Sequence, residues 1–382
     1  MTANQQSEAS SGPEGSDATP ALDPHDLTEV TLLARGVASA VAPPSGLTDV
    51  QVQLLEALTR AMTGHALDYR SLDPLGPDEL ADVLAGQDPL RRQRVVQDMV
   101  LGELVLRPIP IAVAYRVSIY ADALGVKDDF VRIARRYAQG AYGLAWMDLQ
   151  HNGFVDHVRA AGGDEARAAG AGPGEMPAPF AMARPDPALA ARWAAFEALP
   201  IGSLGRSVWE MYVGRGFALP GTPGGSLPYL AQHDFVHVLA DYGTNLKGEV
   251  EVFAMIGRAD PDPKGFAWLA TLIGLFETGY ITTTGFFDRD VRERSIQAPG
   301  MYSRLADALR RGKQVGERNG VDLFDIDYDE LADHPLEDVR QRLSFPSKSA
   351  EAIEAGSVGL FELAGMSETQ RRFSARRSGD QT

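Results

Sequence analysis

The sequence predicts an all-α protein of two helical domains joined by a linker rich in Gly, Pro and Ala. Three observations predict it. Apolar residues recur at three- and four-residue spacing along most of the chain, and period-two alternation is absent. Capping signals stand directly before several of those runs. Between about 162 and 188 the chain reads GGDEARAAGAGPGEMPAPFAMARPDP, which has few large apolar residues and marks a linker at 161–188.

Residues 1–25 are mostly Ser, Gly, Pro, Glu and Gln, with little to bury, and read as a disordered tail. The first domain, 26–160, opens at DLTEVTLLARGVASAVAPP, where Asp26 and Glu29 have capping-box spacing. Leu27, Val30, Leu33 and Val37 follow the helical period, and Pro43 and Pro44 end it. Thr48 and Gln51 repeat the cap before VQVQLLEALTRAMTG, which stops at Gly64. Further helices are expected at 77–85, 89–106, 110–124 and 128–148. In the second domain, 189–372, they are expected at 187–198, 203–215, 229–242, 247–258, 264–284, 300–318 and 328–343, followed by shorter pieces. Residues 373–382 lack apolar content and are expected to fray as a tail.

A chain of 382 residues, 44% hydrophobic, is long enough to bury two ordinary cores. Its 52 acidic residues against 36 basic give a formal charge of −16, which argues against nucleic acid as a partner. With no cysteine, disulfides, thiolate nucleophiles and Cys-ligated metals are excluded, so any metal must sit on His and carboxylates. The N-terminus MTANQQSEASSGPEGSDATP has neither a basic nor an apolar segment of a secretory signal. No run of 18 apolar residues occurs, so no bilayer-spanning helix is expected. The expected location is cytoplasmic, with any contact to the inner face of a membrane peripheral. Homo-oligomers are compatible with this composition.

Chemistry concentrates in QHDFVHVLADYGTNLKGE, residues 232–249. With His233 at zero on a helical wheel of about 100° per residue, His237 falls near 40° and Asp234 near 100°. All three reach a common point. Tyr242-Gly243-Thr244 then breaks the helix, and a helical hairpin would swing Glu249 back over it. Two imidazoles and two carboxylates suit Zn²⁺, and also Fe²⁺ or Mn²⁺, better than Ca²⁺ or Mg²⁺. The competing reading is a polar helix face with a satisfied core histidine. The segment also differs from the HExxH of zinc proteases, because Asp234 is one methylene shorter and suits a ligand better than a general base.

HDFVH followed by eleven residues and Glu249 resembles the HDxxH-x₁₁-E signature of the coenzyme Q biosynthesis protein 4 family. The flanks LPIGSLGRSVWEMYVGRGF, YGTNLKGEVEVFA and LADALRRGKQVGERNGVDLFDIDYDELADHPLEDVRQRL resemble that family as well, over about 195–345. The resemblance implies metal ligands at His233, Asp234, His237 and Glu249, with zinc the expected ion. It implies a role in ubiquinone biosynthesis, removing the ring carboxylate of a prenylated aromatic acid with ring hydroxylation, or organising other biosynthetic enzymes while binding an isoprenoid lipid. The first domain, through YADALGVKDDFVRIARRYA, is similar to tellurite-resistance TerB-like helical domains, which carry acidic metal-binding clusters. Asp122, Asp128 and Asp129 are the matching acids, but Asp128 reads more simply as an N-cap.

The apolar run FAWLATLIGLFETGY offers Trp268, Leu275, Phe276 and Glu277 as a wall for a hydrophobic aromatic or isoprenoid substrate; an ordinary core helix is the default reading. Arg310, Arg311 and Lys313 read as a solvated basic face. Three functions follow in order: a metal-dependent enzyme of decarboxylase or lyase type acting on a prenylated or polycyclic aromatic acid, in quinone or specialised-metabolite biosynthesis; a non-catalytic lipid-binding scaffold; and a metal-dependent hydrolase.

Overall fold

The computed structural model describes residues 26–141, 144–145, 184–223, 225–260, 264–271, 295–320 and 322–379. Among them are fifteen α-helices and no strand, so the fold is all-α. In chain order they are α1 Leu27–Val41, α2 Asp49–Thr63, α3 Pro77–Val83, α4 Pro89–Leu104, α5 Ile111–Ala123, α6 Asp129–Ala138, α7 Pro187–Ala195, α8 Leu204–Arg215, α9 Gln232–Ala240, α10 Leu246–Ala259, α11 Lys264–Leu269, α12 Met301–Asn319, α13 Leu336–Arg342, α14 Ala350–Glu354 and α15 Glu368–Gly379. No helix among the described residues is long and apolar enough to cross a membrane.

The local signals act as their chemistry requires. Thr48 and Gln51 form a complete capping box at α2, and the Gln51 amide, fully buried, also donates to the carbonyls of Val41 and Gly102 at 2.9 Å each. One side chain thus ties α2 to the ends of α1 and α4. Asp128 caps α6 by accepting from the Phe130 N–H at 2.8 Å. Asp129 pairs with Arg132 and Asp122 is exposed, so these acids serve the helix end and the surface.

Three expected elements differ. The helix expected over 128–148 stops at Ala138, and Gly140 turns the chain with φ +71°. The one expected over 328–343 is divided into a 3₁₀ turn at Asp329–Leu331 and α13. Pro335 has no N–H to continue a helix, and the Leu204 N–H takes the His334 carbonyl at 3.0 Å. Residues 373–379, expected as tail, extend α15. Ser367 and Gln370 cap its start reciprocally, and the Phe373 ring lies against Gly216. The expectations for 1–25, for the linker up to 183 and for the helix beyond 271 lie outside the described residues.

Two apolar clusters organise the interior. In the larger, residues from both sides of the expected linker meet: Leu55 and Met99 belong to it, as do Val236, Phe253, Phe266 and Leu309. There α2 packs on α12, and the Phe130 and Phe266 rings meet edge-on at 5.8 Å. The smaller cluster joins α7, α8 and α9 through Trp193, Met211 and Phe235, with Tyr328 and Leu331 beneath. The short helix α9 lies between them, sending Val236 and Ala240 into one and Phe235, Val238 and Leu239 into the other.

Helices α10 and α12 approach until their backbones are in contact. A Cβ at Gly312 would lie 2.2 Å from the Met255 carbonyl oxygen, and one at Gly316 would lie 2.5 Å from that of Ala259. The two glycines, one turn apart, let the backbones touch. Across the same seam Arg304 grips Glu251 with two buried hydrogen bonds, 3.1 and 2.6 Å long. Losing one partner of such a pair leaves a bare charge in the interior.

These contacts set opposite signs for two Gly→Ala changes. Helix propensity alone favours alanine by up to about 1 kcal/mol. Gly214 in α8 has open space where a methyl would go, so Gly214→Ala should raise the unfolding free energy by up to that amount. At Gly312 the backbone clash dominates, and Gly312→Ala should lower it by about 2 kcal/mol. Urea unfolding of the two variants beside wild type checks both signs.

Candidate metal centre

Helix α9 begins at a turn over 228–231 and ends at Asp241, which adopts the left-handed conformation with φ +59°. A non-glycine residue holds that conformation at a cost. Here the Asp241 carboxylate offsets it, accepting the Leu360 N–H at 2.9 Å and pairing with Lys348 at 3.4 Å. Four residues later Asn245 caps α10 by accepting the Gly248 N–H at 2.9 Å. Gly248 lies so close to the Gly243 carbonyl that a Cβ would sit 1.9 Å from its oxygen. Only glycine fits, and the tight return brings Glu249 over α9. The expected hairpin is present.

Four side chains converge inside it. His233, Asp234 and His237 each offer a ligand atom within 4.8 Å of the others, and they are the one such three-donor group among the described residues. Glu249 adds its Oε2 at 3.3 Å from His237 Nε2 and 3.8 Å from His233 Nε2. His233 Nε2 is 3.6 Å from Asp234 Oδ1. Tetrahedral ligands at about 2.0–2.2 Å from an ion stand about 3.3–3.6 Å apart, so these edges are close to those of a coordination tetrahedron. His237 is fully buried, Asp234 is 6% exposed and Glu249 8%.

The neighbours decide what faces the centre. His233 Nδ1 meets the Leu230 carbonyl, and His237 Nδ1 meets the Tyr242 carbonyl at 3.3 Å. A carbonyl only accepts, so each Nδ1 must carry the proton, and each neutral ring then turns an Nε2 lone pair inward. That lone pair on His237 confronts the Glu249 carboxylate in a buried site. Two acceptors so placed repel unless a cation lies between them, either a proton or a metal ion. The donor set and the backbone partners that orient it fit a divalent metal held by His233, Asp234, His237 and Glu249.

The same contact shifts both titrations in the metal-free chain. Burial alone would lower the His237 pKa, but the charge and hydrogen bond of Glu249, with the charge of Asp234, outweigh it and raise the value. Burial would raise Glu249, but His237 and His233 outweigh it and hold the carboxyl below its ordinary value.

Residues beyond the HDFVH segment complete the centre. The Tyr212 hydroxyl on α8 donates to Asp234 Oδ2 at 2.6 Å. Arg215, one turn on and buried, donates to Thr244 Oγ1 at 2.6 Å and to the Leu360 carbonyl. Burial lowers its pKa to about 10, so it keeps its charge. Arg311, expected on a solvated face, is buried: it donates to the Ala240 carbonyl at 2.9 Å and lies over the Tyr242 ring. It neutralises the C-terminal end of α9. The C-terminal segment closes the loop from outside. The Gly365 carbonyl accepts the N–H groups of Thr244 and Asn245 at 2.7 and 3.0 Å, and Gln370 exchanges two hydrogen bonds with Thr244.

Of the expected substrate wall, Trp268 is placed and Leu275, Phe276 and Glu277 lie outside the described residues. Trp268 is buried and stacks on Phe324 at 4.4 Å; it also meets Phe253 at 5.3 Å, which in turn stacks on the His233 imidazole. It therefore stands two rings from the centre. A separate cavity of about 90 Å³ opens between α1, α2, α4, α10 and α11, and none of the four donors lines it.

The titrations give opposite pH trends for the two forms. A depressed Glu249 contributes stability above its ordinary 4.5 that is lost as pH falls through its lower folded value. A raised His237 contributes stability below its ordinary 6.5 that is lost as pH rises through its higher folded value. The metal-free pair is thus most stabilising between those ordinary values. Metal needs the imidazoles neutral, so protons compete with it over the same window. The melting-temperature gap between zinc-loaded and chelated protein should be widest near pH 8 and should narrow steadily toward pH 5. A gap independent of pH would show that these histidines are not ligands.

No family model and no curated protein matches the chain. Among solved structures, it is similar to the crystal structure of a "putative ubiquinone biosynthesis protein" from Nostoc punctiforme PCC 73102. The two share 19% identity over 67% of this chain and 98% of that one, with a TM-score of 0.30.

Proposed function

We propose that this chain is a divalent-metal-dependent enzyme of the coenzyme Q biosynthesis protein 4 type, acting on an aromatic acid with an isoprenoid or fused-ring apolar part, by decarboxylation or oxidative decarboxylation. The observation that supports it most is the inward-facing set of two imidazoles and two carboxylates, with both imidazoles oriented by backbone carbonyls and Asp234 by Tyr212. A divalent ion bound there supplies a Lewis acid for a carboxylate or phenol oxygen. Zinc suits the set, and iron or manganese would use the same donors. The chain's own groups prepare that chemistry. The fixed Nδ1 contacts hold both rings in one tautomer, the apolar clusters flank α9 on either side, and Phe253 stacks on the His233 ring.

A second reading is a structural metal in a scaffold that binds a quinone precursor without turning it over. The near-complete burial of three donors favours it, because closed four-ligand sites are usually structural. On the catalytic reading one carboxylate must loosen to admit substrate.

One titration separates the two. A bare aromatic acid and analogues with lengthening prenyl tails are bound to zinc-loaded and to chelated protein. On the enzyme reading the head group needs metal, and each methylene of the tail that becomes buried adds about 0.8 kcal/mol. Turnover should vanish in a folded His237→Ala variant that has lost most of its metal. Equal binding of the head group by chelated protein, without turnover, decides for the scaffold.

A further inference from the structure

We propose that Tyr212 is a positioning residue for the metal centre: its hydroxyl takes Oδ2 of Asp234, so that Asp234 meets a divalent ion through Oδ1 alone. This rests on the metal reading above and adds a residue outside the HDFVH…Glu249 segment. Asp234 is the short ligand of the set, next in sequence to His233. Its Oδ1 lies toward His233 Nε2 at 3.6 Å, while Oδ2 accepts from Tyr212 at 2.6 Å. The two oxygens are divided between the centre and the phenol.

The phenol is held too firmly to follow a rotating carboxylate. Tyr212 is 2% exposed, and its ring meets Trp193 at 5.2 Å and Phe217 edge-on at 5.7 Å. A carboxylate oxygen only accepts, so the phenol O–H is the donor in this contact. Helix α8 supports both carboxylate arms: Tyr212 holds Asp234, and Arg215 holds Thr244 on the loop that delivers Glu249. Without the hydroxyl, the Asp234 carboxylate is free to turn and offer both oxygens to the ion, which would raise its coordination number above four.

The test uses the full chain, stripped with chelator and titrated with Co²⁺ and Zn²⁺. Tyr212→Phe keeps the ring and removes only the donor. Its Zn²⁺ affinity should fall on the order of 10- to 100-fold, and its Co²⁺ visible bands should weaken as coordination rises above four. The melt of the metal-free protein serves as the folding control. In an Asp234→Ala background the same change should cost no further affinity, because Tyr212 acts through that carboxylate. A wild-type affinity and Co²⁺ spectrum in Tyr212→Phe, or an equal loss in both backgrounds, overturns the proposal and leaves the metal reading standing. Wild type that binds neither ion removes both. X-ray absorption on zinc-loaded wild type keeps the proposal testable if the variant fails to fold: four ligands at about 2.0–2.2 Å are expected, and an additional long carboxylate oxygen refutes it.

Discussion

One contact governs this molecule: the His237 imidazole, its Nδ1 committed to a backbone carbonyl, set 3.3 Å from the Glu249 carboxylate in the interior. Both groups are buried, so the encounter is little screened, and the approach is tolerable only with a cation between them. Much of the surrounding structure prevents the two from drifting apart. Gly248 admits the close return of the chain, Asn245 starts α10 in the right register, and Asp241 ends α9 in a conformation that non-glycine residues seldom hold. Removing the charge requirement would leave these local features without a purpose in common.

The support extends through helix ends. Arg311 and Arg340 donate to the last carbonyls of α9, at Ala240, Leu239 and Val238, where a nine-residue helix has no internal partners left to offer. Both arginines come from elements distant in sequence, so α9 is stabilised chiefly by its surroundings. Isolated helices of that length are marginal in water. The buried Arg304–Glu251 pair and the paired glycines of α12 then fix α10, and with it Glu249, against the core shared with α2.

What the sequence revealed was local in origin. The arc of His233, Asp234 and His237 follows from helical periodicity, the hairpin from Tyr242-Gly243-Thr244, and the Thr48–Gln51 cap from three-residue spacing. Tyr212 and Arg311 escaped for the opposite reason. Nothing near Tyr212 in sequence says that it faces Asp234, 22 residues on, and Arg311 looked solvated because two other basic residues stand beside it. Its partner carbonyl is 71 residues away. The break at Gly140 was masked by a continuing apolar pattern, and the division at Pro335 by the helical periodicity on both its sides. Trp268 was expected at a substrate wall and stands in a stack of rings, a choice that periodicity cannot make.

The hold of Gly365 and Gln370 on Thr244 and Asn245 has a consequence in time. A ribosome delivers the two ligand-bearing helices well before it delivers residues 360–370, and domains form in that order as the chain emerges. Until then the turn between α9 and α10 lacks its outer hydrogen bonds, and Arg215 lacks the Leu360 carbonyl. Contacts spanning more than 110 residues are also slow to close, since the loop entropy is lost before the contact is gained. The turn that sets the spacing of the two imidazoles and Glu249 therefore gains its outer hydrogen bonds only once residues 360–370 have docked. An ion arriving on the nascent chain would meet a looser set of donors than one arriving after synthesis is complete.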